Sequence, residues 1–402
     1  MSDSTEQLTL VVEIQVRAGA QQQAREAVSE LASATRRLDG GVIRFEVGID
    51  PADDTRILGY ETWQSQAALD DHAHQPHTRR FLELAAGFAV DPEQPLQVHR
   101  WQPLQPELPV PYPVAPAVAA QPPTGFSHGW HTSADARLHY VSGGAGDPLL
   151  LVHGFPNTWY AWRDVMVRLA DRYTVVAVDL RGLGDSEAGS LPNDVPTGAA
   201  DLASLVTALD LGPVFVAGQD WGGSTAFAFA AARPDLVRRL AVLEAVPSGP
   251  WTAPGGGRSA WFAEFHQIAG LPETLTAGRE PDYLGWMYEA FTATPGVPSP
   301  DAVSEYLRSY RRPGAMSSAF ARYRGTAREI AHNAEHVAQR LNTPILAMGG
   351  EHVFGDAVAA NLRLAATHVV SVVVPDVGHF LSEEAPDAVS DALGTFFTRD
   401  SA

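Results

Sequence analysis

The chain has 402 residues, more than one ordinary domain needs, so two compact parts are expected. Apolar residues at 45% can fill their cores, while 28 Lys and Arg against 47 Asp and Glu leave a net charge of −19 that repels nucleic acid. The absence of cysteine excludes disulfides, thiolate metal sites and a Cys nucleophile.

The start, MSDSTEQLTL, lacks a basic-then-apolar leader, and no 18-residue apolar run follows. A cytoplasmic protein without membrane contact is expected. LTLVVEIQV (8–16) alternates like a strand, and QQQAREAVSELASATRRL (21–38) has helical spacing. VIRFEVGID (42–50) and TRILGYETW (55–63) are predicted strands around a turn at Pro51–Asp54. A helix over 66–86 and a strand over 95–101 complete a β-α-β-β-α-β order, a ferredoxin-like α+β domain over 1–102. YETWQSQAALDDHAHQPHTRRFLE resembles the antibiotic biosynthesis monooxygenase (ABM) family, with Glu61, Trp63, His72 and Phe81 at matching spacing. The resemblance implies dimerisation through the sheets, and some members oxidise polyphenols without a cofactor. Read from the residues alone, His72 and His77 are surface helix positions and Trp63 is core. A homodimerisation module is the expected role.

Residues 103–124 are a proline-rich linker, with eight prolines in PLQPELPVPYPVAPAVAAQPP. So many prolines rule out a helix or a central strand and favour a semi-rigid extended spacer.

From 125 to 402 the pattern alternates between strand and helix. ARLHYVSGG leads to strands at 148–154, 174–186, 213–220, 240–246, 343–350 and 369–375. Helices are predicted at 159–171, 199–210, 222–233, 356–366 and 384–397. Such alternation gives a mostly parallel, doubly wound sheet covered on both faces. Residues 250–336, rich in Trp, Tyr and Phe, read as a helical lid inserted between two strands. Open α/β sheets place their sites at the strand ends such a lid would cover.

VAGQDWGGSTAF (216–227) is an apolar strand, a tight turn and a small-residue helix. It has the G-x-S-x-G form of a nucleophile elbow, with Asp220 where the serine would stand. The bland alternative is that Asp220 merely caps the helix. His153-Gly154-Phe155-Pro156 follows the first strong strand, so the backbone N–H groups of Phe155 and Trp221 can form an oxyanion hole. Asp376-Val377-Gly378-His379 places a histidine just after the last strand.

HGFPNTWYAWR, DLRGLGDS, GQDWGG and GHFLSEE together resemble the α/β-hydrolase family, in its aspartate-nucleophile branch of epoxide hydrolases and dehalogenases. The resemblance implies that Asp220 attacks an sp³ carbon to give an alkyl-enzyme ester. His379 then activates the water that hydrolyses it. A carboxylate needs no base to make it a nucleophile, unlike serine. Many relatives place an acid after the strand PILAMGG, but GGEHVFGD puts Val353 there. Glu244, 24 residues after Asp220, is where other relatives carry the His partner, with Asp356 and Glu351 as fallbacks.

An epoxide needs donors in the lid for its opening oxygen. Tyr323, in RPGAMSSAFARYRGTAREIAHNAE, matches the lid tyrosine of epoxide hydrolases. The second donor of relatives, a Tyr or His, aligns with Trp261 in SAWFAEFHQIAGLPE. Haloacetate enzymes carry arginines just after the nucleophile, whereas Trp221-Gly222-Gly223-Ser224 follows here. Phe262, Phe265 and Trp286 imply a bulky, apolar small-molecule substrate, and the ABM-like partner an aromatic polyketide-like one. The expectation is an epoxide hydrolase without metal or cofactor. A dehalogenase, or a non-hydrolytic binding protein of the same fold, is the alternative.

Overall fold

The computed structural model describes residues 8–50, 53–101, 119–251, 261–337 and 340–398. Most of the proline-rich stretch, the Pro51–Ala52 part of the first hairpin turn and residues 252–260 of the lid lie outside them. The chain divides into two compact units, Met1–Leu108 and Pro109–Ala402.

In the first unit, β1 (Leu8–Gln15), β2 (Val42–Asp50), β3 (Asp53–Trp63) and β4 (Gln97–Trp101) form an antiparallel sheet in the order β2-β3-β1-β4. Alternation puts Leu10, Val12 and Ile14 of β1 on the buried face, against Ala24, Val28 and Leu31 of the helix Gln21–Leu38. The other face carries Val11, Leu58 and Tyr60 among ion pairs of Arg56 with Glu13 and Arg44 with Glu46. The helix expected over 66–86 is two helices, Gln66–His74 and Pro76–Phe88. Pro76 has no N–H to continue the first helix and sits instead at the start of the second.

In the second unit, β5 (Phe126–Ser133), β6 (Ala136–Gly144), β7 (Asp147–Val152), β8 (Tyr173–Val178), β9 (Val214–Gln219), β10 (Val237–Leu243), β11 (Ile345–Gly350) and β12 (Val369–Val374) form one sheet. Its order is β12-β11-β10-β9-β7-β8-β6-β5, parallel from β12 to β8, with β6 and β5 antiparallel at one edge. Strand β5, FSHGWHTS, is polar and half exposed, so its sequence shows no buried-strand run. Both faces of the sheet are covered: Leu150 and Val152 of β7 join one core and Leu149 and Leu151 the other. Strand order reverses around β7, whose successor β8 lies on one side and β9 on the other. The ends of β7 and β9 therefore flank a switch point, where such sheets hold their ligands. Between β10 and β11 come the helices Trp261–Gln267, Leu271–Thr276, Glu280–Phe291, Pro300–Tyr310, Ala315–Arg324 and Thr326–His336. No helix among the described residues is long and apolar enough to cross a membrane.

Candidate active site

Asp220 closes β9 and precedes the helix Trp221–Ala232 with φ 53° and ψ −124°, a backbone conformation L-residues rarely adopt. Its side chain makes no capping bond to that helix. Instead Oδ1 accepts from the Phe155 N–H at 2.8 Å. The turn needs its glycines: a Cβ on Gly222 would lie 2.1 Å from the Val152 carbonyl, and one on Gly218 2.2 Å from that of Gly222. A Cβ on Gly154 would lie 2.4 Å from Asp220 Oδ1, so only glycine lets the two loops meet.

The loop after β7 is tied to the loop after β8. The buried His153 Nε2 accepts from the Leu180 N–H at 3.1 Å, which puts the ring proton on Nδ1, beside the Gly154 carbonyl at 2.8 Å. Asp179, fully buried, accepts from the N–H groups of Trp159 and Asp185 and contacts His139 Nδ1 at 2.7 Å. The DLRG stretch thus supports the loop that carries Phe155.

His379 Nε2 lies 3.4 Å from Asp220 Oδ2, and its Nδ1 lies 3.0 Å from Glu244 Oε2. Glu244 is fully buried at the end of β10, again with a positive φ of 44°. Its other oxygen accepts from the N–H groups of Gly350 at 2.7 Å and Phe354 at 3.2 Å. Burial opposes a charge on His379, but hydrogen bonds to Asp220 and Glu244 outweigh it and push its pKa up to about 10. The fallback acids stand elsewhere. Asp356 is exposed and accepts from Ser371 Oγ at 2.7 Å, and Glu351 is exposed and accepts from the Asp376 N–H.

Residues 147–386 match the family model of the alpha/beta hydrolase fold. The chain belongs to that family. Residues 7–84 of the first unit match the antibiotic biosynthesis monooxygenase model. The hydrolase unit is 37% identical over 270 residues to the soluble epoxide hydrolase of Corynebacterium sp. (strain C12), covering 65% of this chain and 93% of that protein. It is 30% identical to the fluoroacetate dehalogenase of Burkholderia sp., over 68% of this chain and 94% of that one. Among solved structures, Cfl2 from Burkholderia cenocepacia is 38% identical, with a TM-score of 0.66, covering 69% of this chain and 98% of its own.

The lid of the hydrolase separates the expected residues. Tyr323 is buried, and its ring meets Trp221 edge-on with centroids 4.9 Å apart and Phe155 at 6.3 Å. Burial, with the Asp220 charge adding to it, holds its phenol well above the ordinary value. Trp261 does not reach this group. It is 54% exposed and packs on Phe265 and Trp286. Helical phase is the reason. Trp261 and Phe265 are four residues apart on the outer face, while Phe262 and His266, also four apart, turn inward. Phe262 meets Phe291 at 5.3 Å and Tyr323 at 6.3 Å, and Phe291 in turn meets His379 at 6.2 Å. Trp286 is 41% exposed, so it and Phe265 belong to the outer aromatic layer.

His266 takes the place expected for Trp261. It is fully buried, its ring 4.4 Å from that of Tyr323, and its Nε2 lies 2.6 Å from the Tyr283 hydroxyl. Its Nδ1 is buried with no hydrogen-bond partner among the described residues. Burial, reinforced by the Arg324 charge, lowers its pKa to about 3, so the ring is neutral. The signal for His266 was present in FAEFH, where it follows the inward Phe262 by one turn.

Proposed function

We propose that the hydrolase unit opens epoxides through an ester on Asp220. The observation that carries this reading is a carboxylate held on a strained elbow between the Phe155 N–H and His379 Nε2. Asp220 Oδ2 attacks a ring carbon, the new C–O bond forms and the ring C–O bond breaks. Tyr323 donates its phenolic proton to the departing oxygen, and His266 holds that oxygen as a second donor. With the Tyr283 hydroxyl donating to His266 Nε2, the ring proton stands on Nδ1, which has no partner among the described residues.

Esterification removes the Asp220 charge that helps hold His379 protonated, so His379 loses its proton more readily when a base is needed. It then takes a proton from water, and the resulting hydroxide adds to the Asp220 carboxyl carbon. The N–H groups of Phe155 and Trp221 hold the oxyanion, and collapse releases a diol whose leaving oxygen takes the proton of the added hydroxide, while the proton shed by His379 restores the Tyr323 phenol through solvent. Glu244 orients His379 and stabilises its charged form.

The inner lid wall of Phe262 and Phe291 supports a bulky aromatic substrate, and the ABM-like unit supports one of polyketide type. The second reading is halide release. It is favoured by the Trp221 indole N–H, buried beside the Tyr323 ring as a donor for a departing halide. An indole N–H donates and never accepts, as a halide requires. A panel of aryl epoxides and haloalkanes separates the two readings. Diol formation with Tyr323-dependent rates supports the first, and halide release without diol supports the second.

The first unit is the proposed dimerisation module. Val11, Leu58 and Tyr60, half buried to partly exposed on its open sheet face, supply the apolar part of an interface. Replacing Val11 and Leu58 by Lys in the full chain should halve its mass on light scattering. An unchanged mass removes this role.

A further inference from the structure

The first unit holds a second Asp and His cluster that plays no part in the hydrolytic reading. Asp39 follows the helix Gln21–Leu38, while His72 and His77 sit on the two helices separated at Pro76. His72 Nδ1 lies 2.5 Å from Asp39 Oδ2, and His77 Nε2 lies 3.2 Å from the same oxygen. The side chains of Asp39, His72 and His77 are 4%, 7% and 13% exposed. His72 is therefore not a surface residue, as its helix position had implied. Its ring lies against Trp63 at 4.5 Å and Phe45 at 5.7 Å.

Hydrogen bonding alone leaves this cluster incomplete. Asp39 Oδ1 is buried and has no partner among the described residues. A carboxylate oxygen hidden from water without a donor is unfavourable and calls for a missing positive partner. Two imidazoles and a carboxylate, with one ligand atom from each within 4.8 Å of the others, are a donor set for a divalent ion. Metal–ligand bonds of about 2.0–2.2 Å place tetrahedral donors roughly 3.3 Å apart. The Asp39–His77 contact of 3.2 Å already fits, and the Asp39–His72 contact of 2.5 Å must open by less than about 1 Å.

We propose that Asp39, His72 and His77 bind one divalent transition-metal ion of the zinc class, with a further coordination position open on the His77 side. This site is independent of the hydrolase reaction and runs against the sequence expectation of no metal. Thr78 Oγ1 lies 3.3 Å from His72 Nδ1 and 3.5 Å from its Nε2, so that hydroxyl must turn to Nε2 as the outer partner when Nδ1 ligates. The Trp63 and Phe45 rings fix the plane of that imidazole. Two other groups of acid and histidine differ. In His139–Asp179–Asp185 the Asp179 oxygens accept two backbone N–H groups and meet His139 Nδ1, and Glu351–His352–Asp376 is exposed throughout.

The test uses the full chain, freed of metal by chelator, and titrates Co²⁺ while reading its visible absorption. One Co²⁺ per chain, with a tetrahedral-type band displaced by Zn²⁺, is the expected result. His77→Gln changes a partly accessible residue and should preserve the far-UV circular dichroism. It should weaken Co²⁺ binding beyond the roughly 10–100-fold expected for loss of an outer-shell partner. His72→Ala should abolish the band, and His352→Ala at the exposed trio should leave it unchanged. Should His72→Ala not fold, His77→Gln decides alone. Binding that survives His77→Gln unaltered, binding lost in His352→Ala, or no stoichiometric Co²⁺ at all overturns the proposal.

Discussion

The strand ends and the lid of the hydrolase unit place functional groups by different means. Asp220 and Glu244 sit at the ends of adjacent parallel strands, each in a positive-φ conformation. Their positions are fixed by backbone hydrogen bonds and by glycines that admit no Cβ. Tyr323 and His266 sit on lid helices, where the face a residue presents depends on rotation about the helix axis. A strand-end site is therefore punctuated in the sequence, whereas a helix-face site shifts with a few tens of degrees of helical phase.

The largest expected effect breaks the strand-end half. Asp220→Asn and His379→Gln should each lower kcat by on the order of 10⁴–10⁶-fold, the range for core members of such triads. They should differ in kind. His379→Gln should still alkylate and accumulate an adduct of substrate mass, visible by intact-mass spectrometry, while Asp220→Asn should not. Full turnover in His379→Gln would remove it from the mechanism.

Glu244→Gln sharpens the same half. It should slow ester hydrolysis by on the order of 10²–10⁴-fold with alkylation less affected, because the tautomer and charge of His379 lose their support. Asp356→Asn should leave both steps unchanged in rapid-quench measurements. A slow Asp356 variant beside a normal Glu244 variant would reverse the assignment.

The lid half is tested by three substitutions. Tyr323→Phe and His266→Phe should each slow alkylation by roughly 10²–10³-fold, the effect of losing one preorganised donor. Trp261→Phe should change it by less than about twofold, since its ring lies outside. A large effect of Trp261→Phe with a small one of His266→Phe would mean that the lid helix is rotated in the working enzyme.

A separate effect is on stability against pH. His379 has its folded pKa raised to about 10 from an ordinary 6.5, so it favours the protonated folded state. That stabilisation is complete below about 6.5 and is lost as pH rises toward about 10. Relative to His379→Gln, the wild-type Tm should therefore fall between pH 6.5 and pH 10. A parallel course of the two melting curves would show that His379 is not held protonated.

Much of this was legible in the residues. Apolar runs ending in Gly218-Gln219-Asp220-Trp221-Gly222-Gly223 and in His153-Gly154-Phe155-Pro156 mark tight turns after buried strands, and the observed strands end there. Glu244 was legible through resemblance to relatives that carry an acid at that spacing after the nucleophile, and it is the acid that lies against His379 Nδ1. The fallback Asp356 turns its side chain to Ser371 at the surface. What was not legible depended on packing across the chain. Strand β5 is polar, so its place at the sheet edge shows no period. The break at Pro76 was visible, yet the burial of His72 beneath it depends on Asp39, more than 30 residues away. The alignment of an aromatic stretch points to Trp261, and a one-residue shift in that stretch, about 100° of rotation, exchanges the outer face for the inner one.

The central claim is that Asp220 carries the substrate as an ester. A single turnover of an epoxide in ¹⁸O-water, followed by peptide mass spectrometry, tests it most directly. Water that attacks the Asp220 carboxyl carbon leaves its label on the enzyme, so the first turnover should place ¹⁸O in the peptide containing Asp220 and none in the diol. Label found in the diol on that first turnover, with the Asp220 peptide unlabelled, would contradict the account.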